Sequence, residues 1–228
     1  MPLQYSIISI CVIIFSVPLG FYLNALIGSE NAFFMGSVII GTMFAAVGII
    51  FRFINYKVSE AYLNISKVTD GILFKSKFFS KPRLQFSIGE FTCELTYKYG
   101  SQYTPSCTYI HARLDSNYKF RVYRDGLVTK DLKKLNLDLP DSQIGDDDFD
   151  KFFIVETRNA ELTRSIFSEN VLLHIREIKK YISEIKLDDG YLVYSLVGIY
   201  FQDNRYIHLF ESFKGIVQNY SSYGAGKA

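Results

Sequence analysis

Recognisable catalytic signatures are missing from this chain of 228 residues: there is no phosphate-binding glycine loop, dinucleotide fingerprint, nucleophile elbow or paired-histidine zinc-protease motif. Histidine is scarce, with three copies at His111, His174 and His208, and none has a Cys, Asp or Glu at metal-ligand spacing along the chain. No metal and no cofactor is therefore expected. Cysteine also occurs three times, too few for a disulfide scaffold. Cys11 lies in an apolar run, while Cys93 and Cys107 fall on neighbouring predicted strands, where a bridge is conceivable but disfavoured in a reducing compartment. Net charge is low, at +2, and no RNA-recognition, zinc-finger or helix-turn-helix pattern is present, which argues against nucleic acid as a partner.

Charge is absent from two long stretches. Residues 3–27 and 31–51 contain no Asp, Glu, Lys or Arg, and only Gly28-Ser29-Glu30 separates them. A bilayer core is spanned by about 20 apolar helical residues, so the two runs read as a transmembrane helical hairpin. The N-terminus has no basic segment and its apolar run is too long for a signal peptide, so both spans are expected to be retained. Small residues recur at helical spacing: Ser9, Ser16, Gly20 and Asn24 in the first run, and Ser37, Gly41, Ala45 and Gly48 in the second. Such faces let helices approach closely in lipid, so these are expected to be packing faces. With no ionisable residue inside either run, neither carries an ion or proton path. Arg52, Lys57 and Lys67 follow the second run, whereas the link carries only Glu30. The positive-inside rule then places both termini in the cytoplasm, at a bacterial inner membrane.

Beyond Arg52 the chain becomes polar enough for a soluble domain. Ile54, Val58, Ala61 and Ile65 keep a helical period until Thr69-Asp70-Gly71. From Ile72 the period drops to two: Leu84, Phe86 and Ile88, then Phe91, Cys93, Leu95, Tyr97 and Tyr99, alternate with polar residues as half-buried strands do. Further strands are expected at 107–114 and 118–124, joined as a hairpin by Asp115-Ser116-Asn117, with Asp125-Gly126 ending the meander. A short helix is expected from Thr129 through Leu135, then a solvated acidic loop at 140–148. That loop lacks the alternating ligands, central glycine and closing glutamate of an EF-hand. A strand at 152–157 leads to a helical stretch with Leu162 and Ile166. Ser168 then caps a helix whose apolar residues Val171, Ile175, Ile178, Ile182 and Ile185 follow at four, three, four and three, up to Asp188-Asp189-Gly190. Residues 191–201 and 206–210 are expected to form a final hairpin around Asp203-Asn204, and the Gly- and Ser-rich tail to be disordered. The expected division is a hairpin over 1–54, a helical connector over 55–70, a cytoplasmic domain over 71–220 and a tail over 221–228. The fold class is an α+β domain, an antiparallel sheet with a few helices, on the transmembrane hairpin.

Two groups of residues carry the functional expectations. Lys75, Lys77, Lys81 and Arg83 cluster near the spans and, with Arg52 and Lys57, are candidate lipid-surface contacts. The second group is Phe149, Asp150, Phe153 and Val155, followed by Thr163-Arg164, Ile166, Phe167 and Ser168, with Leu209-Phe210-Glu211 near the end. This order of residues resembles a bacterial membrane-anchored family known as domain of unknown function 3137, with Thr163 where that family usually has alanine and Glu169 where it commonly has proline. The resemblance implies transmembrane segments ahead of a domain closing on a hairpin near residues 209–211, and it brings no activity. The motif is apolar apart from Asp150, so it reads as a packing unit in which Asp150 caps or turns the chain. The expected role is a membrane-anchored binding or scaffold protein that engages a protein partner or the lipid surface, with a protein partner or self-association expected. The rivals are a membrane-surface enzyme with a site built from Asp150, His111, His208 or nearby carboxylates, and an accessory subunit of a larger membrane complex.

Overall fold

The computed structural model describes residues 22, 32–75, 80–101, 104–114, 116–124, 139–201 and 203–225. The expected first span, its link, Cys11, Lys77, Asp115, Asp125-Gly126 and the helix at 129–135 lie outside the described residues. The chain divides into two compact units, Met1–Lys57 and Val58–Ala228.

Helix α1 (Ala32–Thr69) has its residues 32–57 in the first unit and 58–69 in the second. Among the described residues, its stretch Val38–Thr69 is the one helix long and apolar enough to cross a membrane. Ile40, Phe44, Ile49, Phe51 and Phe53 are exposed along it. The helix stops where expected: Asp70 turns to φ 51° and the Gly71 N–H donates back to the Ser66 carbonyl at 3.2 Å.

In the second unit, Val58, Ala61, Tyr62 and Ile65 of α1 are buried. Among the described residues, nine strands form one antiparallel sheet: β1 (Ile72–Phe74), β2 (Arg83–Ile88), β3 (Phe91–Lys98), β4 (Cys107–Arg113), β5 (Phe120–Arg124), β6 (Asp141–Ser142), β7 (Phe153–Thr157), β8 (Ile182–Asp188) and β9 (Tyr191–Val197), in spatial order β1-β2-β3-β4-β9-β8-β5-β7-β6. Helices α2 (Asp147–Asp150), α3 (Ala160–Ile166), α4 (Glu169–Ile178) and α5 (Asp203–Ala225) complete it. Register explains the core. Leu84, Leu95, Ile110, Tyr194, Ile185, Val122 and Val155 are partners in turn across seven strands, and all are buried. Because side chains alternate along a strand, one face of the sheet is continuously apolar. The helices cover that face: Phe210 of α5 meets Phe86 edge-on at 5.3 Å, and Phe167, after α3, meets Phe120 at 5.7 Å.

Five expectations are corrected. The helix opened by Ser168 ends at Ile178, and Ile182 and Ile185 belong to β8. Asp189 and Gly190, both at positive φ (49° and 77°), make the β8–β9 hairpin turn rather than a helix end. Strands β4 and β5 do not pair with each other, because the β8–β9 hairpin lies between them. Residues 206–210 are not a strand but the start of the 23-residue helix α5, which buries Tyr206, Leu209, Phe210, Phe213, Ile216 and Val217 at a helical period. Leu209-Phe210-Glu211 therefore sits in a helix, and residues 221–225 continue it where a disordered tail was expected.

Candidate binding surface

Alternation that fills one face with apolar residues loads the other with polar ones. Following the register across the sheet, Gln85, Glu94, His111, Val193, Lys186, Arg121, Glu156 and Asp141 form one row. Thr96, Tyr109, Ser195, Glu184, Tyr123 and Ile154 form the next. Tyr191 stands 49% exposed at one end, beneath the Arg113 guanidinium at 6.0 Å.

The centre of this face is an ion-pair network. Arg121, its side chain only 4% exposed, donates from Nε to Glu184 Oε1 at 2.6 Å and lies 3.9 Å from Glu156. Its guanidinium carbon sits 4.8 Å from the Tyr123 ring centre. Tyr123 donates its hydroxyl to Glu156 Oε1 at 2.9 Å; burial and then that bond push its pKa up to about 12, so it remains a donor. Beside it the hydroxyls of Ser183 and Ser195 lie 2.7 Å apart. Lys119 and Lys186 meet Asp188 at 2.7 and 2.8 Å. Partial burial alone would raise the Asp188 pKa, but the bonds from the two lysines outweigh it and hold the carboxyl below its ordinary value. At the centre of the face the charges are paired with one another, while Tyr109 is half-buried and Tyr191 exposed upon it.

The residues of the family-like motif make packing and backbone contacts. Phe149 packs on Phe153 at 4.8 Å and on Phe167 at 5.6 Å, and Val155 and Ile166 are buried. Asp150 accepts from the Ile144 and Gly145 N–H groups at 3.0 and 2.9 Å, so its carboxylate ties down the loop before α2. Ser168 occupies the N-cap position of α4 without a capping bond; its hydroxyl accepts instead from Asn219 Nδ2 at 2.9 Å. The acidic run is also structural: Asp146 caps α2 and pairs with Arg176, and Asp148 pairs with Lys179 at 2.7 Å.

Asp150, His111 and His208 occupy three different settings. Asp150 holds its loop, His111 lies on the polar face of the sheet, and His208 belongs to α5, where its Nδ1 is 3.2 Å from His174 Nδ1. Of the basic residues, Arg52 and Lys75 are exposed, Lys57 is half-buried, Lys81 lies 5.7 and 5.2 Å from the Tyr97 and Tyr99 ring centres, and Arg83 pairs with Glu94 at 3.6 Å. Partial burial, then Lys98, lowers the Lys81 pKa. Ser37 lies on α1, where Gly41, Ala45 and Gly48 are exposed and a Cβ added at Gly41 or Gly48 meets nothing within 4 Å. Cys93 and Cys107 are free thiols; Cys93 faces Ala112 and Cys107 faces Lys98, so the register sets them apart.

Two features escaped the sequence. Arg121 looks like any strand arginine until β7 and β8 bring Glu156 and Glu184 beside it. The histidine pair joins residues 34 positions apart, one of them read as a strand residue.

No protein-family model and no curated protein matches the chain. Among solved structures, the crystal structure of the mycobacterial trehalose monomycolate transport factor A, TtfA, aligns with a TM-score of 0.43 at 10% identity, over 71% of this chain and 92% of that one. A likeness that remote bears on neither activity nor partner.

Proposed function

We propose that this chain is an integral membrane protein whose α+β domain works by binding a protein partner at the membrane surface. One observation carries the reading. Helix α1 displays Ile40, Phe44, Ile49, Phe51 and Phe53 on its surface, then buries Val58, Ala61, Tyr62 and Ile65 in the domain's core. Exposed apolar area on that scale is costly in water and favourable in lipid. Residues 3–27 provide the second span of the anchor, Ser37, Gly41, Ala45 and Gly48 its packing face, and both termini lie on the cytoplasmic side of a bacterial inner membrane. The polar sheet face around Tyr109 and Tyr191 is the contact surface. Arg52, Lys57, Lys75, Lys77, Lys81 and Arg83 add attraction to anionic lipid, about 1 kcal/mol for each charge near the surface.

The test has two parts. Alkaline extraction of membranes should leave the chain in the pellet; release into the supernatant refutes the anchor. A photo-crosslinking residue at Tyr191 should yield a discrete adduct in intact membranes, identified by mass spectrometry, and one at exposed Leu173 on the helical side should not. Equal labelling from both positions refutes the sheet face as the contact surface.

A further inference from the structure

Helices α4 and α5 meet along a seam read from three contacts. Asn219 Nδ2 donates to the Ile166 carbonyl at 2.8 Å and to Ser168 Oγ at 2.9 Å. Val171 sits against Gly215, where an added Cβ would lie 2.6 Å from its Cγ2. His174 meets His208, Nδ1 to Nδ1, at 3.2 Å. As the number rises on α4 it falls on α5, so the helices run antiparallel with the histidines at the far end of a fixed register.

We infer that His174 and His208 form a two-imidazole site for a divalent transition-metal ion of the zinc class. Zinc binds imidazole nitrogen at about 2.0–2.1 Å, and a tetrahedral angle then sets two such nitrogens about 3.3 Å apart. The observed 3.2 Å matches that span. The rings are tilted by 45° with centroids 5.5 Å apart, so they are not stacked face to face. Both residues are half-buried, neither sealed off nor fully hydrated.

In the metal-free pair one ring donates from Nδ1 and the other accepts, which requires opposite tautomers. When the ion arrives, the donor ring moves its proton from Nδ1 to Nε2 and both Nδ1 lone pairs bond to the metal. The protein gains the ion's charge and loses no proton. Imidazole donors suit zinc, copper and nickel, and not the hard oxygen-seeking magnesium or calcium. Among the described residues no third His, Cys, Asp or Glu completes the set. The remaining positions belong to water or to a carboxylate or imidazole of a bound partner. Loaded, the ion ties α4 to α5 across the seam.

The experiment uses the untagged full chain in detergent, stripped of metal by chelator and titrated with Zn²⁺ against a chromophoric competitor. The wild type is expected to bind one equivalent. Loss of outer-shell support alone weakens metal sites 10- to 100-fold, so H174Q and H208Q should each weaken binding at least about tenfold, and H111Q should leave it unchanged. Undiminished binding in H174Q and H208Q, or no binding by the wild type, overturns the site. Should either variant misfold, as judged by circular dichroism, the wild type decides: Zn²⁺ should protect His174 and His208, but not His111, from diethyl pyrocarbonate. Equal modification of all three with and without Zn²⁺ also overturns it.

Discussion

Replacing Gly215 by alanine tests the α4–α5 seam directly. In an open helical position the change is favourable by about 0.8–1 kcal/mol, because alanine loses less backbone entropy than glycine. Here the new methyl would stand 2.6 Å from Val171 Cγ2, against an ordinary carbon–carbon separation of about 3.5–4.0 Å. Val171 is 1% exposed, and a β-branched side chain on a helix has one strongly preferred rotamer, so it cannot swing aside. The helices must part by about 1 Å, and overpacking of this kind costs about 1–3 kcal/mol. The net expectation for G215A is a loss of about 1 kcal/mol, or about 2–4 °C in Tm for a chain of this size. In a V171A background the obstruction is gone, and the same substitution should stabilise by about 1 kcal/mol. The four-protein cycle therefore carries a coupling near 2 kcal/mol. Circular-dichroism melts of the four full-length proteins in one detergent measure it. If G215A raises Tm equally in both backgrounds, the two helices do not meet at this register and the reasoning fails.

Three further outcomes are expected. R121M should lower stability by about 3–5 kcal/mol, since it leaves Glu184 and Glu156 around a vacated cation position, and adding E184Q should recover part of the loss in the same melts. Acid should destabilise the domain through Asp146 as well as Asp188. For Asp146, burial raises the pKa, but the Phe149 N–H and then Arg176 outweigh it and hold the carboxyl low. A depressed folded pKa means that the contribution is complete above the unfolded value, about 3.9, and is lost as pH falls through the folded one. The melting temperature of D146N should accordingly fall less steeply than that of the wild type below pH 4. Finally, burial pushes the Cys93 thiol up to about 12, and also raises that of half-buried Cys107. Residue-resolved alkylation of the native chain at pH 8 should therefore mark Cys107 slowly and Cys93 only after unfolding; prompt labelling of Cys93 contradicts its placement in the sheet.

Much of the architecture was legible where one physical signal dominated. The stop at Asp70-Gly71, the alternation through Leu84, Phe86 and Ile88, and the start of a helix after Ser168 each follow from a local rule, although Ser168 itself makes no capping bond. The failures came where two rules spell the same letters. Ile178, Ile182 and Ile185 continue a helical spacing, yet Ile182 and Ile185 share a face of β8. That needs an irregularity in a strand of period two, and the register shift between Ile182 and Glu184 provides one. A bulge thus makes a strand read as a helix. The reverse happened at Tyr206-Ile207-His208, a β-favouring triplet overridden by burial at Tyr206, Leu209, Phe213, Ile216 and Val217. Pairing partners were the least legible, because a hairpin joins neighbours in sequence and β4 and β5 are neighbours only in sequence. The tyrosine and ion-pair face and the histidine pair depend on that pairing and on α5, so neither was visible beforehand.

The position of the β8–β9 hairpin bears on biogenesis. Ile110 pairs with Tyr194, and the Thr108 hydroxyl donates to the Gly198 carbonyl 90 residues further along. Until the ribosome has released residues 182–198, the β1–β4 meander and the β5–β7 strands each end in an unpaired edge, at β4 and at β5. At about 5–20 residues per second, synthesis from Thr108 to Gly198 leaves those edges open for seconds on a nascent chain. Closure of the sheet is thus a late event decided by a C-terminal segment. A chain cut short before residue 198 would present two sticky half-sheets, a substrate for chaperones and proteases, in place of a smaller folded domain.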